Sequence, residues 1–177
     1  NQLGIALGQE AKVKDVDVLL GPTINIHRHP LGGRHFECFS EDPFLTGKIA
    51  TEYVKGVQSQ EVAACLKHFI GNDTEYERHL VSSNIDEKTL REIYLLPFEM
   101  GIKDGDAKVV MSAYNKLNNI YCSSHKELLI DILKNEWGFD GYVVSDWGAA
   151  LETEKNAIGG LDLEMPGPGN VWGDQLF

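Results

Sequence analysis

Tyr142-Val143-Val144-Ser145-Asp146-Trp147-Gly148 is the stretch from which the rest of the chain can be placed. Its apolar run is too short for a helix, is punctuated by Gly141 and Gly148, and is continuous rather than alternating, the habit of a parallel strand buried on both faces. A strand here delivers Asp146 and Trp147 to its C-terminal tip. In α/β folds ligands bind and catalytic side chains collect at that edge, so the chemistry is expected there.

The same alternation of apolar run and amphipathic helix recurs outward from this strand. Just before it, Leu128, Leu129, Ile132, Leu133 and Trp137 form the stripe of a helix that opens with a capping box, Ser124-His125-Lys126-Glu127. Before that come a strand over 108–111 and a helix capped by Asp86, with Leu90, Ile93, Tyr94, Phe98 and Ile102 on one face and a kink at Pro97. A strand over 62–66 follows a helix that Ser40-Glu41-Asp42-Pro43 opens with a capping acid and a first-turn proline. Its apolar face is drawn from Leu45, Ile49, Ala50, Tyr53, Val54 and Val57. Residues 1–13 have the spacing of an amphipathic helix and lead to a strand over 16–20 stopped by Gly21-Pro22. Beyond Gly148, residues 149–158 read as helix and 160–165 as one more strand, closed by Pro166 and Gly167.

About five strands alternating with helices imply a parallel sheet with right-handed crossovers, which a doubly wound sheet and a barrel both satisfy. What favours the barrel is that polar residues gather just beyond strand after strand. Asn25, His27 and Arg28 follow the first, Lys67 and His68 the second, Tyr114 and Asn115 the third, and Asp146 the fourth. Taken singly, each candidate has a structural alternative: Lys67 as a solvated charge, His68 as a satisfied core histidine, Tyr114 as a packing aromatic, Asp146 as a helix N-cap. Strands that end together in hydroxyl-binding groups are what a polar ligand requires. A barrel of this type needs ~250 residues and the chain has 177. The fold class is therefore α/β, a partial (β/α)8 TIM-like barrel with about five of its strands present.

Composition narrows the partners. Lys and Arg number 16 against 27 Asp and Glu, a net charge of −11, which opposes nucleic acid and anionic membrane, since both are met by clustered cations. No stretch approaches the ~20 apolar residues of a membrane span. The N-terminus has neither Met nor a signal-peptide pattern and begins mid-pattern, as a fragment does, leaving extracellular and cytoplasmic locations both open. Cys38, Cys65 and Cys122 are too few and too widely spaced for a disulfide framework or a zinc ribbon and read as free thiols. His27 and His29 flank Arg28, but no carboxylate or cysteine completes a ligand spacing, so no metal is expected. No P-loop is present, and Ser82, Ser83 and Ser145 lack a Gly-x-Ser-x-Gly elbow. Asn72-Asp73-Thr74 is a glycosylation sequon that falls beside the expected site and reads as a chance match.

Five groups of residues then carry a resemblance. Pro30-Leu31-Gly32-Gly33-Arg34-His35-Phe36-Glu37 with Phe39-Ser40-Glu41-Asp42-Pro43, Lys67-His68-Phe69, Leu90-Arg91-Glu92-Ile93-Tyr94, Ser112-Ala113-Tyr114-Asn115, and Trp137-Gly138-Phe139-Asp140-Gly141 running to Ser145-Asp146-Trp147-Gly148 resemble glycoside hydrolase family 3, β-glucosidase branch, over nearly the whole chain. The resemblance implies a retaining β-glucosidase that uses no cofactor and cleaves terminal β-D-glucosyl residues from β-glucosides or cello-oligosaccharides. In it Asp146 matches the nucleophile, which forms a covalent glycosyl-enzyme that water releases with retained configuration. Arg34, Lys67, His68 and Arg78 match positions that bind the hydroxyls of the first-subsite sugar, a task suited to fixed donors. Met111 matches a subsite-lining position, Tyr114 one beside the nucleophile, and Trp147 would present an aromatic face to sugar or aglycone, with packing as its alternative.

A retaining reaction also needs a second carboxyl group ~5 Å from the first as acid and base, which in this branch lies in a later domain. The resemblance thus makes residues 1–177 an incomplete catalytic TIM-barrel domain, lacking its first strands with one sugar-binding aspartate and the C-terminal domain with the acid/base. The isolated chain is expected to be inactive. Among the carboxylates present, Glu37 and Glu41 are expected to brace Arg34 or loop backbone and Asp162 and Glu164 to belong to barrel-end structure, and Glu75 is likewise not assigned the acid/base. The N-acetylglucosaminidase branch is disfavoured, because Lys67-His68-Phe69 continues as Ile70-Gly71-Asn72-Asp73 rather than Pro-Gly-His-Gly. A catalytically silent carbohydrate-binding barrel and a β-xylosidase of the same family stand as alternatives. A phosphate-using barrel is disfavoured by the lack of a Gly-rich loop before a helix.

Overall fold

A computed structural model describes residues 1–176 of the chain. Helix α1 spans Gln2–Val13 and α2 Pro43–Gln58, the latter opened by Asp42, whose Oδ1 accepts the Leu45 N–H at 3.0 Å with Pro43 in the first turn. Asp86 does the same for a helical segment over 87–103, α3, accepting the Thr89 N–H at 3.0 Å. Pro97 does not break α3. A π-helical stretch, Leu90–Leu95, runs directly into Leu96–Lys103, so the ladder is loosened on the N-terminal side of a residue that has no N–H to offer. Helix α4, Glu127–Glu136, is capped otherwise than expected. Cys122–Ser124 form a 3-10 turn that leaves the Ser124 hydroxyl on the Tyr121 carbonyl, and the buried His125 Nδ1 accepts the Leu128 N–H at 3.3 Å instead. Helix α5, Thr153–Gly159, ends on Gly160 at φ 98°, the left-handed stop that glycine tolerates.

Among the described residues seven strands are formed: β1 Val18–Leu19, β2 Ala63–Phe69, β3 Ser82–Ser83, β4 Val109–Ser112, β5 Lys116–Leu117, β6 Ile120–Tyr121 and β7 Tyr142–Ser145. The main sheet is four-stranded in the order β1-β2-β4-β7 and parallel throughout, with Val109–Ser112 in register with Tyr142–Ser145. The expected fifth strand is present as a single parallel bridge, Val144 to Leu163, with the Ser145 N–H donating to the Leu163 carbonyl at 2.9 Å. The chain is thus α/β with a parallel sheet that makes part of a barrel. A small sheet, β3-β5-β6, was not anticipated. Its hairpin turns at Asn118 and Asn119, both at positive φ, as a two-residue loop between twisted strands requires.

Strand alternation sorts the core into two faces. Ala64, Leu66, Val110 and Val143 point outward into the large cluster beneath the helices, while Cys65, Val109, Met111 and Val144 form a separate cluster on the inner face. On α2 the buried face differs from the expected stripe: Ala50, Val54 and Val57 are buried, but Leu45 and Ile49 are 48% and 39% exposed. Glycines select that face. A Cβ on Gly56 would stand 2.5 Å from the Asn1 carbonyl oxygen and 2.9 Å from Gly4 Cα, so α1 and α2 meet backbone to backbone. Ile93 on α3 is partly exposed in the same way. All three cysteines are free, and no helix among the described residues is long and apolar enough to cross a membrane.

Candidate active site

Asp146 follows β7 directly, on the same face as Val144 and therefore above the inner cluster. Its carboxylate is buried. Oδ1 accepts the Trp147 N–H at 2.8 Å, while Oδ2 is buried with no partner among the described residues. Tyr114, beyond β4, donates its hydroxyl to the Trp147 carbonyl at 2.9 Å and so holds the peptide that follows, fixing the Trp147 backbone from its other end. Burial, and then the charge of Asp146, raise the Tyr114 pKa above its ordinary value, which keeps the phenol protonated as that donor.

His68, near the end of β2, brings Nε2 to 3.6 Å from Asp146 Oδ2. Burial, reinforced by the charges of Arg34 and Lys67, depresses its pKa to about 3, so the ring is neutral and the contact is not an ion pair. Asn25 identifies the tautomer. Its Oδ1 accepts the His68 backbone N–H and its Nδ2 donates to the His68 carbonyl, both at 2.9 Å, which fixes the amide and aims Oδ1 at His68 Nδ1, 3.2 Å away. An amide oxygen only accepts, so Nδ1 carries the proton and Nε2 a lone pair. Nε2 and Asp146 Oδ2 are then two acceptors facing one space, which a hydroxyl donor satisfies.

Cations surround that space. Arg34 is held by Glu37, Nε to Oε1 at 2.6 Å and Nη2 to Oε2 at 3.1 Å, and Glu37 also accepts the Thr23 hydroxyl at 2.7 Å. Burial opposes the charge of both partners, yet their pairing raises the Arg34 pKa and lowers that of Glu37, so both are ionised. Arg78 donates to Glu75 at 2.7 Å and stacks over the Tyr114 ring, 4.6 Å from its centroid. Lys67, half-buried on β2, adds to the positive field felt by His68 and Glu37. Trp147 keeps 45% of its surface exposed at the rim, whereas Met111 is buried in the inner cluster, paired in register with Val144 beneath the site.

Four other carboxylates near the site or at the barrel end are engaged elsewhere. Glu37 and Glu75 are spent on Arg34 and Arg78, and Glu164 accepts the N–H groups of Asn170, Val171 and Trp172. Asp162 binds Lys134 and the Val143 N–H. Glu41, expected as a brace, is exposed and makes no side-chain hydrogen bond among the described residues. Asn72 of the sequon is buried. Two buried residues were assigned no role from the sequence. Asn25 was visible only as a polar residue after a strand, and Asp73 only within the sequon, yet Asp73 is buried with both oxygens unpartnered, and burial raises its pKa to about 6 against the pull of Arg28.

A carboxylate with one oxygen tethered and the other open, ringed by guanidinium, ammonium and neutral imidazole, suits attack on an electrophilic carbon of a polyhydroxylated molecule. Comparison with known proteins supplies the family. Residues 1–160 match the model of the glycosyl hydrolase family 3 N terminal domain. A beta-glucosidase from Rhizobium radiobacter is 56% identical over 173 residues, covering 98% of this chain and 21% of that protein. Beta-glucosidase 3B from Thermotoga neapolitana, solved in complex with alpha-D-glucose, superposes with a TM-score of 0.93 at 50% identity over 94% of this chain and 23% of its own. The beta-glucosidase from Kluyveromyces marxianus, in complex with glucose, gives 0.96 at 45% identity over 98% and 21%. The chain therefore spans about a fifth of the length of the relatives it matches.

Proposed function

This chain belongs to glycosyl hydrolase family 3, and from that membership we propose that it is the nucleophile-bearing barrel portion of a retaining β-glucosidase. The observation that carries the proposal is Asp146, buried at the tip of β7 with Oδ2 free and Oδ1 tethered to the N–H of Trp147, whose carbonyl Tyr114 holds. Oδ2 attacks the anomeric carbon of a terminal β-D-glucosyl residue. The bond from that carbon to the aglycone oxygen breaks, and the oxygen takes a proton from an acid that the proposal places outside residues 1–177. Water, deprotonated by the same group, then attacks the glycosyl ester from the other face, restoring Asp146 and the original configuration.

The other residues have binding roles in this scheme. Arg34, Lys67 and Arg78 donate to sugar hydroxyls, and the His68 Nε2 lone pair accepts from one of them. Trp147 offers its exposed ring to the apolar face of the sugar or aglycone, and Met111 forms the floor. With the proton donor outside it, the isolated 177-residue chain orders a sugar but does not turn it over. Asp146→Asn, in the protein that carries this chain, tests the nucleophile. The expected result is a fall in kcat for an aryl β-glucoside on the order of 10⁴-fold or more, with glucose affinity kept within about tenfold. Normal turnover by the variant would refute the assignment.

A further inference from the structure

His27, His35 and Cys38 take no part in the glycosidase reading, yet the loop 26–38 brings them together. One donor atom from each lies within 4.8 Å of the other two. The two imidazoles lie side by side, centroids 5.0 Å apart and planes inclined at 38°, and the Nε2 atoms of both are buried without a hydrogen-bond partner. Buried polar nitrogens are nearly always satisfied, and with their protons on Nδ1 these neighbouring rings present a pair of lone pairs that a cation accepts. Gly32 leaves the room, since a Cβ there would collide with His35 Nε2. Cys38 directs its thiol at the Arg34 carbonyl, 3.6 Å away. Asp73, with both carboxylate oxygens unpartnered, lines the same small cavity as His35 and Cys38, so negative charge stands close by.

We propose that His27, His35 and Cys38 bind a borderline-soft divalent cation, with zinc as its representative. Two imidazoles and a thiolate are a donor set that such ions take, whereas Mg²⁺ and Ca²⁺ take oxygen ligands. Zn–N bonds of about 2.0–2.1 Å and a Zn–S bond of about 2.3 Å in tetrahedral geometry set donors about 3.3–3.8 Å apart. The three donors reach that spacing by closing about 1 Å, within the scope of side-chain rotation. On binding, the imidazoles contribute neutral lone pairs, the thiol releases its proton to solvent as the Zn–S bond forms, and nothing is oxidised. Water fills the fourth position. Because His27 precedes Arg34 while His35 and Cys38 follow it, the ion ties both ends of the turn that presents this arginine.

Titration of the untagged protein carrying this chain with Zn²⁺, by calorimetry, and with Co²⁺, by the cobalt–thiolate charge-transfer band, tests the site. Cys38→Ser is expected to abolish the band and lower the Zn²⁺ stoichiometry by one per chain, while Cys65→Ala and Cys122→Ala keep both. His27→Gln with His35→Gln, confined to a loop, is expected to weaken Zn²⁺ by more than the roughly 10–100-fold that loss of a supporting outer contact costs. A band that survives Cys38→Ser, an unchanged affinity in the double histidine variant, or no saturable Zn²⁺ binding below roughly 1 mM would each overturn the proposal. Glucosidase activity plays no part in these readouts, so the metal site and the glycosidase reading are tested apart.

Discussion

Asn25 sets which nitrogen of His68 carries a proton, and it does so because the His68 backbone first pins the amide from both sides. Replacing it by alanine removes the acceptor for Nδ1–H and leaves buried backbone groups open, a loss of about 1–3 kcal/mol. Asn25→Ala is therefore expected to lower kcat/KM for an aryl β-glucoside roughly 10–100-fold and to convert the ¹⁵N spectrum of His68 from the Nδ1–H tautomer to a mixture. A single unchanged tautomer would contradict the role. At this scale the sequence was readable where strand period did the placing. Lys67, Met111 and Asp146 share the inner face of their strands, and Glu37 stands one helical turn from Arg34 and pairs with it. It was unreadable where the partner lies far along the chain, as Asn25 and His68 do, 43 residues apart.

Among the elements, caps were legible and packing faces were not. Asp42 and Asp86 announce their helices because a capping carboxylate acts within its own turn. The buried face of α2 is instead chosen by contact with α1 through Gly4 and Gly56, a tertiary condition that no periodicity within α2 encodes. Gly56→Ala would drive a methyl group against the Asn1 carbonyl and Gly4 Cα, both backbone atoms that cannot rotate away. It is expected to cost about 1–3 kcal/mol, read as a lower urea midpoint with unchanged slope. Stability equal to or above that of the parent would show that the helices separate freely. The β5–β6 hairpin was missed although its Asn118-Asn119 signal was present, because two-residue strands are too short to show alternation. The Ser124 capping box failed for a local reason, the 3-10 turn that sets His125 in its place.

For the molecule as a whole, the buried titratable groups set the response to acid. Burial lowers the pKa of His68 to about 3 from 6.5 and lowers that of His125 too. Below pH 6.5 the unfolded chain therefore binds protons that the folded chain does not, and stability falls by up to about 1.4 kcal/mol per pH unit for each. Asp73 works in the opposite sense. Its folded pKa is about 6 against 3.8, so its contribution is full below 3.8 and is lost as pH rises through 6. Urea unfolding is expected to show stability falling from pH 7 toward 4, and Asp73→Asn should steepen that fall. A variant curve parallel to the parent's would refute the burial of this acid.

In the proposed reaction Asp146 is the carboxylate that becomes bonded to sugar. The protein carrying this chain, incubated with a 2-deoxy-2-fluoro-β-glucosyl inactivator that slows release of the glycosyl-enzyme, should yield one labelled peptide by mass spectrometry, with the added mass on Asp146. A label on another carboxylate would move the chemistry away from the tip of β7, and an unlabelled protein that still hydrolyses β-glucosides would contradict the covalent mechanism.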